Sequence, residues 1–216
     1  MSKLLFLLFF IMVSISACND KKNARDLPVI GNRETVEIKK NGIKQIDTIY
    51  HTIPDFSFID QDSNKVTGQD YTGKVYVADF FFTSCPTICP VMKTQMLRVY
   101  ERFKNEDDVL ILSHTIDPEY DSVALLRSFA ERLGVEAPKW RFVTGEKEAI
   151  YELGQTGYLV TASEDQYEPG GFLHSGAFVL IDRQQRIRGL YDGTVADQVD
   201  RLMNDIDLLV KEPVQQ

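Results

Sequence analysis

Two cysteines four residues apart, Cys85 and Cys89, follow two residues after an apolar run from Val75 to Phe82. A thiolate is both the nucleophile of disulfide exchange and a soft metal ligand, so a pair at this spacing either forms a disulfide or shares one soft metal ion. A purely structural bridge is a poor reading, because a disulfide closing so short a loop constrains the unfolded chain very little. The apolar run is short and rich in β-branched and aromatic residues, which predicts a strand buried on both faces, as in the centre of a parallel sheet. Beyond the cysteines, Met92, Met96, Val99 and Phe103 form a helical stripe. The dithiol therefore belongs where a central strand turns into a helix, at the carboxyl edge where open α/β sheets gather ligands and chemistry. A helix N-terminus there lowers a thiol pKa from its free value of about 8.5. The i, i+4 spacing would put both sulfurs on one helix face. Pro86 suits a first helical turn, whereas Pro90 fits a regular helix poorly. An irregular turn between the cysteines, with the helix proper starting near Pro90, is the expectation.

Asp79 interrupts the apolar strand, and a lone carboxylate there is costly unless hydrogen-bonded or protonated. It is either a candidate proton acceptor with a raised pKa or a satisfied structural carboxylate. The chain has three histidines. His174 follows Gly170-Gly171 and is read as opening the strand Ala177 to Ile181, at a sheet end beside a loop. His114 ends the strand Val109 to Ser113, near enough to the carboxyl edge to support the site from behind. His51 is read as exposed. Met92 and Met96 have soft sulfurs, but a methionine stripe at helical spacing is core. Asp117 reads as a turn and cap residue or as an outer partner of the site. Glu164, Asp165 and Glu168 read as a solvated loop, with docking to a partner as the alternative.

The elements that must position these residues follow in order. Residues 1–18 read as a targeting segment: Lys3, the apolar stretch Leu4 to Val13, then Ile15-Ser16-Ala17-Cys18, which resembles a bacterial lipobox. Cleavage there would leave Cys18 as the lipid attachment, with residues 19–33 a polar tether. The expectation is a domain anchored by lipid in a bacterial cell envelope, outside the cytoplasm, with its thiols in an oxidising compartment; an uncleaved anchor helix is the alternative. Residues 34–52 alternate weakly around Asn41-Gly42, a hairpin signal. A helix is predicted from an Asp121 N-cap to a Gly134 C-cap, a short strand at Trp140 to Val143, and a helix from Glu146 to Leu153 closed by Gly154. A hairpin follows (Ala177 to Ile181, Ile187 to Tyr191), then a final amphipathic helix from Val195 to Leu209. This strand–helix alternation argues α/β. The net charge of −8 and the absence of a basic run argue against nucleic acid or anionic lipid as partners. Three cysteines are too few for a disulfide scaffold.

The segment Phe81-Phe82-Thr83-Ser84-Cys85-Pro86-Thr87-Ile88-Cys89-Pro90 resembles the signature of the Sco/SenC family, thioredoxin-fold copper proteins tied to cytochrome c oxidase assembly. Further marks are Ile53-Pro54-Asp55-Phe56-Ser57-Phe58, Ile116-Asp117-Pro118-Glu119, Phe172-Leu173-His174-Ser175-Gly176 and Gly189-Leu190-Tyr191, so that the resemblance covers residues 51 to 210. It implies a thioredoxin-like α/β fold over residues 53–211, with a central mixed sheet flanked by helices and an added N-terminal β-hairpin. It also implies one copper ion per chain, as Cu(I), Cu(II) or both, bound by Cys85, Cys89 and His174. Two thiolates and an imidazole form a soft set that suits copper, while structural zinc would want a fourth ligand. Asp79-Phe80 resembles the Asp-Phe pair that precedes the active cysteines of thioredoxins. The implied function is that of a membrane-tethered monomer that delivers copper to, or prepares, the copper site of a cytochrome c oxidase subunit or another exported copper protein. The alternative is a thiol–disulfide oxidoreductase acting through Cys85 and Cys89 on exported or membrane protein cysteines. The wider cysteine spacing and His174 speak against plain thioredoxin chemistry, and no clear peroxidatic motif is present.

Overall fold

The computed structural model describes residues 26–213 apart from Asn41, Gln166, Glu168 and Pro169, with Leu173 and His174 described by their backbone alone. The leader 1–18, its Cys18 and the first part of the tether lie outside the described residues. In chain order the elements are β1 (Arg33–Lys40), β2 (Ile43–Tyr50), β3 (Ser57–Asp60), β4 (Lys65–Thr67), β5 (Val75–Phe81), α1 (Cys89–Phe103), β6 (Val109–Thr115), α2 (Val123–Leu133), β7 (Trp140–Thr144), α3 (Lys147–Glu152), β8 (Ala162–Glu164), β9 (Phe172–His174), β10 (Ala177–Ile181), β11 (Ile187–Asp192) and α4 (Ala196–Lys211).

Every residue of β5 and of β6 is buried, as their continuous apolar character requires. They lie at the centre of a seven-stranded mixed sheet in the order β11-β10-β5-β6-β7-β3-β4. β5, β6 and β7 run parallel, and β10, β11, β3 and β4 are added antiparallel at the edges. One face of β5 sends Phe81 against Phe129 of α2, with ring centroids 5.4 Å apart, and beneath Lys93 of α1. The stripe of α1, with Met92, Met96, Val99 and Phe103 all buried, faces this side, and α4 packs against α1 and β11. The other face sends Tyr76 to Tyr71 and Phe80 to Tyr158. This is the α/β thioredoxin-like arrangement with a central mixed sheet, and β1–β2 forms the expected N-terminal hairpin around Gly42.

Several boundaries depart from expectation. The polar stretch read as a tether to Arg33 is already docked at Leu27, because buried Arg188 collects the Leu27 and Pro28 carbonyls, and Ile30 bridges to Ile187. The N-cap of α2 is Ser122, whose hydroxyl accepts from the Leu125 N–H. Asp121 is buried instead and accepts hydrogen bonds from the Thr83 N–H and the Thr83 and Thr115 hydroxyls. After α3 the chain continues through a π-turn, Leu153–Gly157, rather than stopping at Gly154. Gly154 serves a different purpose, since a Cβ there would meet the Phe80 ring at 3.2 Å. A second small hairpin, β8–β9, which the sequence did not show, flanks the acidic stretch that ends at Gly171.

Gly134 closes α2 in the left-handed region, with φ +70° and no atom within 4 Å of a Cβ placed on it. Gly134→Ala should therefore lower stability by about 1 kcal/mol through backbone strain alone, read as a shifted urea midpoint with an unchanged slope.

Candidate metal centre

β5 ends at Phe81, and the next residues leave the sheet in a tight turn. The Thr83 N–H is tied to Asp121 at 3.0 Å and the Cys85 N–H donates to the Phe82 carbonyl at 3.3 Å. Helix α1 begins at Cys89, with Pro90 in its first turn, where its missing N–H costs nothing. Cys85 thus sits in the irregular turn and Cys89 opens the helix, so the two sulfurs do not share a helix face as the i, i+4 spacing alone would have it. The turn still brings them together: both side chains are buried and the two thiols hydrogen-bond to one another.

The pair is electrostatically unequal. Burial pushes the Cys85 thiol up. Hydrogen bonds from the Cys89 thiol, from the Thr87 and Cys89 backbone N–H groups and from the Thr87 hydroxyl outweigh it, and Cys85 lies below the ordinary thiol value. For Cys89, deeper burial and the hydrogen bond with Cys85 raise the pKa well above that value, against the opposing charge of Lys93. Cys85 is therefore the more readily ionised sulfur, with Cys89 as its hydrogen-bond partner.

Asp79 is not the lone carboxylate that its place in an apolar strand implied. It is fully buried and accepts from the Lys93 ammonium at 2.6 Å and from the Ser113 hydroxyl. Lys93 also reaches Ser113 Oγ at 3.3 Å and stands 4.1 Å from the Phe81 ring centroid; the Trp140 indole N–H donates to Ser113 at 2.9 Å. Lys93 was missed in the sequence. The available signal was a lysine on the apolar stripe of α1, one helical turn after Cys89.

His174 does not open β10. It ends β9, paired with Ala162, and Ser175 and Gly176 separate it from β10. The residues on either side of it are packed on the cysteine turn. Phe172 lies 4.9 Å from Phe82 between ring centroids, and a Cβ placed on Gly176 would lie 3.7 Å from Ile88 Cδ1. Gly170, at φ +91°, approaches so closely that a Cβ would meet Phe82 at 2.9 Å and Pro86 at 3.2 Å. The β8–β9 hairpin therefore packs on the turn that carries the dithiol and brings the His174 backbone with it; the His174 side chain lies outside the described residues. Among the described residues, no three His, Cys, Asp or Glu side chains form a metal cage.

The other candidates lie elsewhere. His51 is half-buried rather than exposed, with Nε2 2.7 Å from the Gly157 carbonyl oxygen. His114 does not back the dithiol. It projects from the face of β6 opposite Ser113 into an aromatic cage, stacked on Phe80 at 4.8 Å and flanked by Phe58, Tyr158 and Phe56. Burial lowers its pKa to about 4 despite the charge of Asp79. The Asp79 backbone lies beside the ring without closing a well-formed bond, and neither ring nitrogen has a hydrogen-bond partner among the described residues. Met92 and Met96 are core. The Asp117 carbonyl accepts from the Tyr120 and Asp121 N–H groups as a turn residue, and burial, then the Asp121 charge, raises its carboxyl pKa. Glu164 pairs with Lys147, and Asp165 accepts from the Tyr167 N–H; Glu168 lies outside the described residues.

Residues 45–211 match the family model described as SCO1/SenC. The chain belongs to the SCO1/SenC family. It is 29% identical to a SCO1/SenC family lipoprotein from Bacillus anthracis str. Ames, over 74% of this chain and 96% of that one, with a TM-score of 0.68. It is 28% identical to BsSco, a member of the Sco family of cytochrome c oxidase assembly proteins in which a disulfide switch has been identified, over 76% and 95% of the two chains, with a TM-score of 0.67. The fold extends to Bradyrhizobium japonicum ScoI, solved with copper bound, at 22% identity, 73% and 99% coverage and a TM-score of 0.61. No helix among the described residues is long and apolar enough to cross a membrane.

Two measurements check these assignments. Because thiolate is the reactive form, iodoacetamide at neutral pH should label Cys85 roughly tenfold faster than Cys89, read by peptide mass spectrometry at limiting reagent. Equal rates would refute the asymmetry. For His114, the pKa is depressed from 6.5 to about 4 on folding, so the folded state binds fewer protons. The stability tied to this ring is present above pH 6.5 and lost as pH falls toward 4, on the order of 3 kcal/mol in all. His114→Phe should flatten the pH dependence of the urea midpoint across that window.

Proposed function

We propose that this chain binds one copper ion through Cys85, Cys89 and His174 and delivers it to, or prepares, the copper site of cytochrome c oxidase or another exported copper protein. The observation that carries the reading is the dithiol at the end of β5 with the β8–β9 hairpin packed on its turn. Two sulfurs close enough to hydrogen-bond to one another are also close enough to share one soft ion, and thiolates select Cu(I). A hairpin strand supplying an imidazole would complete the set. Copper is cargo here, and its release calls for ligands that can part. Cys85 and Cys89 lie on the turn and helix beside the main sheet, whereas His174 ends the second strand of a separate two-stranded hairpin whose connecting loop carries Gly170 and Gly171, both at positive φ.

Copper binding by a relative of this fold, the oxidase-assembly role of the Sco family member BsSco and the lipoprotein from Bacillus anthracis support the same reading. With Cys18 as the lipid attachment, the domain would stand outside the cytoplasm on a membrane, near an integral-membrane recipient. The unequal thiols favour a second activity, thiol–disulfide exchange on the recipient's cysteines: Cys85 attacks as thiolate and Cys89 resolves the mixed disulfide. The Asp79 carboxylate is the candidate acceptor for the Cys89 proton, although its ion pair with Lys93 equally fits a structural role. The two activities are compatible, because copper requires the dithiol that oxidation removes.

Reduced protein spanning residues 25–216, titrated anaerobically with Cu(I) against a chromophoric chelator, should hold one copper per chain. Cys85→Ser should abolish this, and His174→Ala should weaken it at least tenfold, on the order expected for one ligand, while leaving the Cys85–Cys89 disulfide able to form. Unchanged affinity in His174→Ala would refute the three-ligand set. Absence of copper binding with rapid thiol exchange would put the oxidoreductase reading first.

A further inference from the structure

Within one helical turn of the dithiol the protein buries a full ion pair. Asp79 is 0% and Lys93 4% exposed, and their partners Ser113 and Trp140 are fully buried. Withdrawing two charges from water costs more than their attraction usually returns, and apolar residues of similar volume often serve stability as well or better. The pair is therefore a poor device for holding α1 to the sheet. Its position has another consequence. Lys93 lies at i+4 from Cys89, and helical side chains lean toward the helix N-terminus, so the ammonium is projected toward the turn that carries Cys89. It sits 4.1 Å from the ring centroid of Phe81, the last residue of β5, and its charge acts on Cys89. Asp79 lies on β5 two residues before Phe81, so Lys93 is the member of the pair carried by the helix that Cys89 opens.

We propose that Lys93 is a positioning residue of the dithiol, a fixed buried cation held by Asp79 that stabilises the negative charge of the reduced, metal-binding form. The inference rests on the copper reading above. When Cys85 and Cys89 take up one monovalent copper ion, both S–H protons leave to solvent, two S–Cu bonds form, and the bis-thiolate unit carries one net negative charge. In the redox couple, the dithiol and oxidised glutathione give the protein disulfide and two reduced glutathiones, and the disulfide carries no charge. The ammonium favours the copper-bound bis-thiolate and, in the redox couple, the reduced pair to the extent that it carries thiolate. Lys93 thus strengthens Cu(I) binding and keeps the pair from oxidising.

The test uses the full chain, because Lys93→Met alone would strand a buried carboxylate. The variants are Asp79→Asn, and Asp79→Asn with Lys93→Met, whose native unfolding transitions are verified first. Cu(I) affinity is measured by competition with a chelator, and the disulfide equilibrium by alkylation and mass spectrometry in glutathione buffers. Asp79→Asn should bind Cu(I) at least as tightly as wild type. Adding Lys93→Met should weaken binding on the order of tenfold. It should also shift the glutathione equilibrium about tenfold toward the disulfide, ~30 mV. A double variant within twofold of Asp79→Asn in the glutathione equilibrium would overturn the proposal. If wild type binds no Cu(I), the copper reading falls, and the glutathione equilibrium alone decides the role of Lys93.

Discussion

The constraint on which this molecule depends is the complete burial of β5. A strand with no solvent-facing residue must be paired on both edges and covered on both faces. β6 and β10 supply the edges, α1 and α2 cover one face, and the turn after α3 covers the other. Because the strand is central and parallel to β6, its carboxyl end opens at the edge of the sheet where the chain must cross over. The cysteines occupy that crossover. Their geometry is set by Phe82, Thr83 and Asp121 pinning the exit from the strand, rather than by helix periodicity.

The two faces of the sheet treat polar groups differently. On the α1 side, Asp79, Lys93, Ser113 and Trp140 satisfy one another in a closed network beneath the dithiol. On the opposite side, His114 is surrounded by aromatic rings and kept neutral by burial. Each neighbouring residue on β6 points to the other face, so Ser113 and His114, adjacent in sequence, belong to different environments. The far side has an ion pair of its own, Arg141 with buried Asp60 at 3.5 Å, beside Tyr71.

The β8–β9 hairpin adds what a thioredoxin-like core lacks. It lies outside the main sheet, yet Phe172 and Gly170 fit against Phe82 and Pro86, so its position is coupled to the cysteine turn. A dithiol turn packed against a separately anchored hairpin suits a site that must both close on its cargo and give it up. The N-terminal hairpin β1–β2 stands apart, with Ile43, Ile46 and Ile49 exposed, and Arg188 secures the chain that leads into it.

Much of this is legible in the residues. The strand from Val75, the stripe of α1, the hairpin around Asn41-Gly42 and the closing helix all follow from hydrophobic period and turn chemistry, which are local. The family motif located Cys85 and Cys89. What the sequence by itself determined is the order of elements and the dithiol at a strand-to-helix junction, because period and spacing are written along the chain. Only the tertiary structure decided that Asp79 is paired with Lys93, that His114 faces away from the dithiol, that Asp121 pins the cysteine turn instead of capping α2, and that the strand ending at His174 packs back on the cysteine turn. Each of these depends on which residues of distant segments share a face or a cavity, and burial and charge pairing across the fold leave no local periodicity to read.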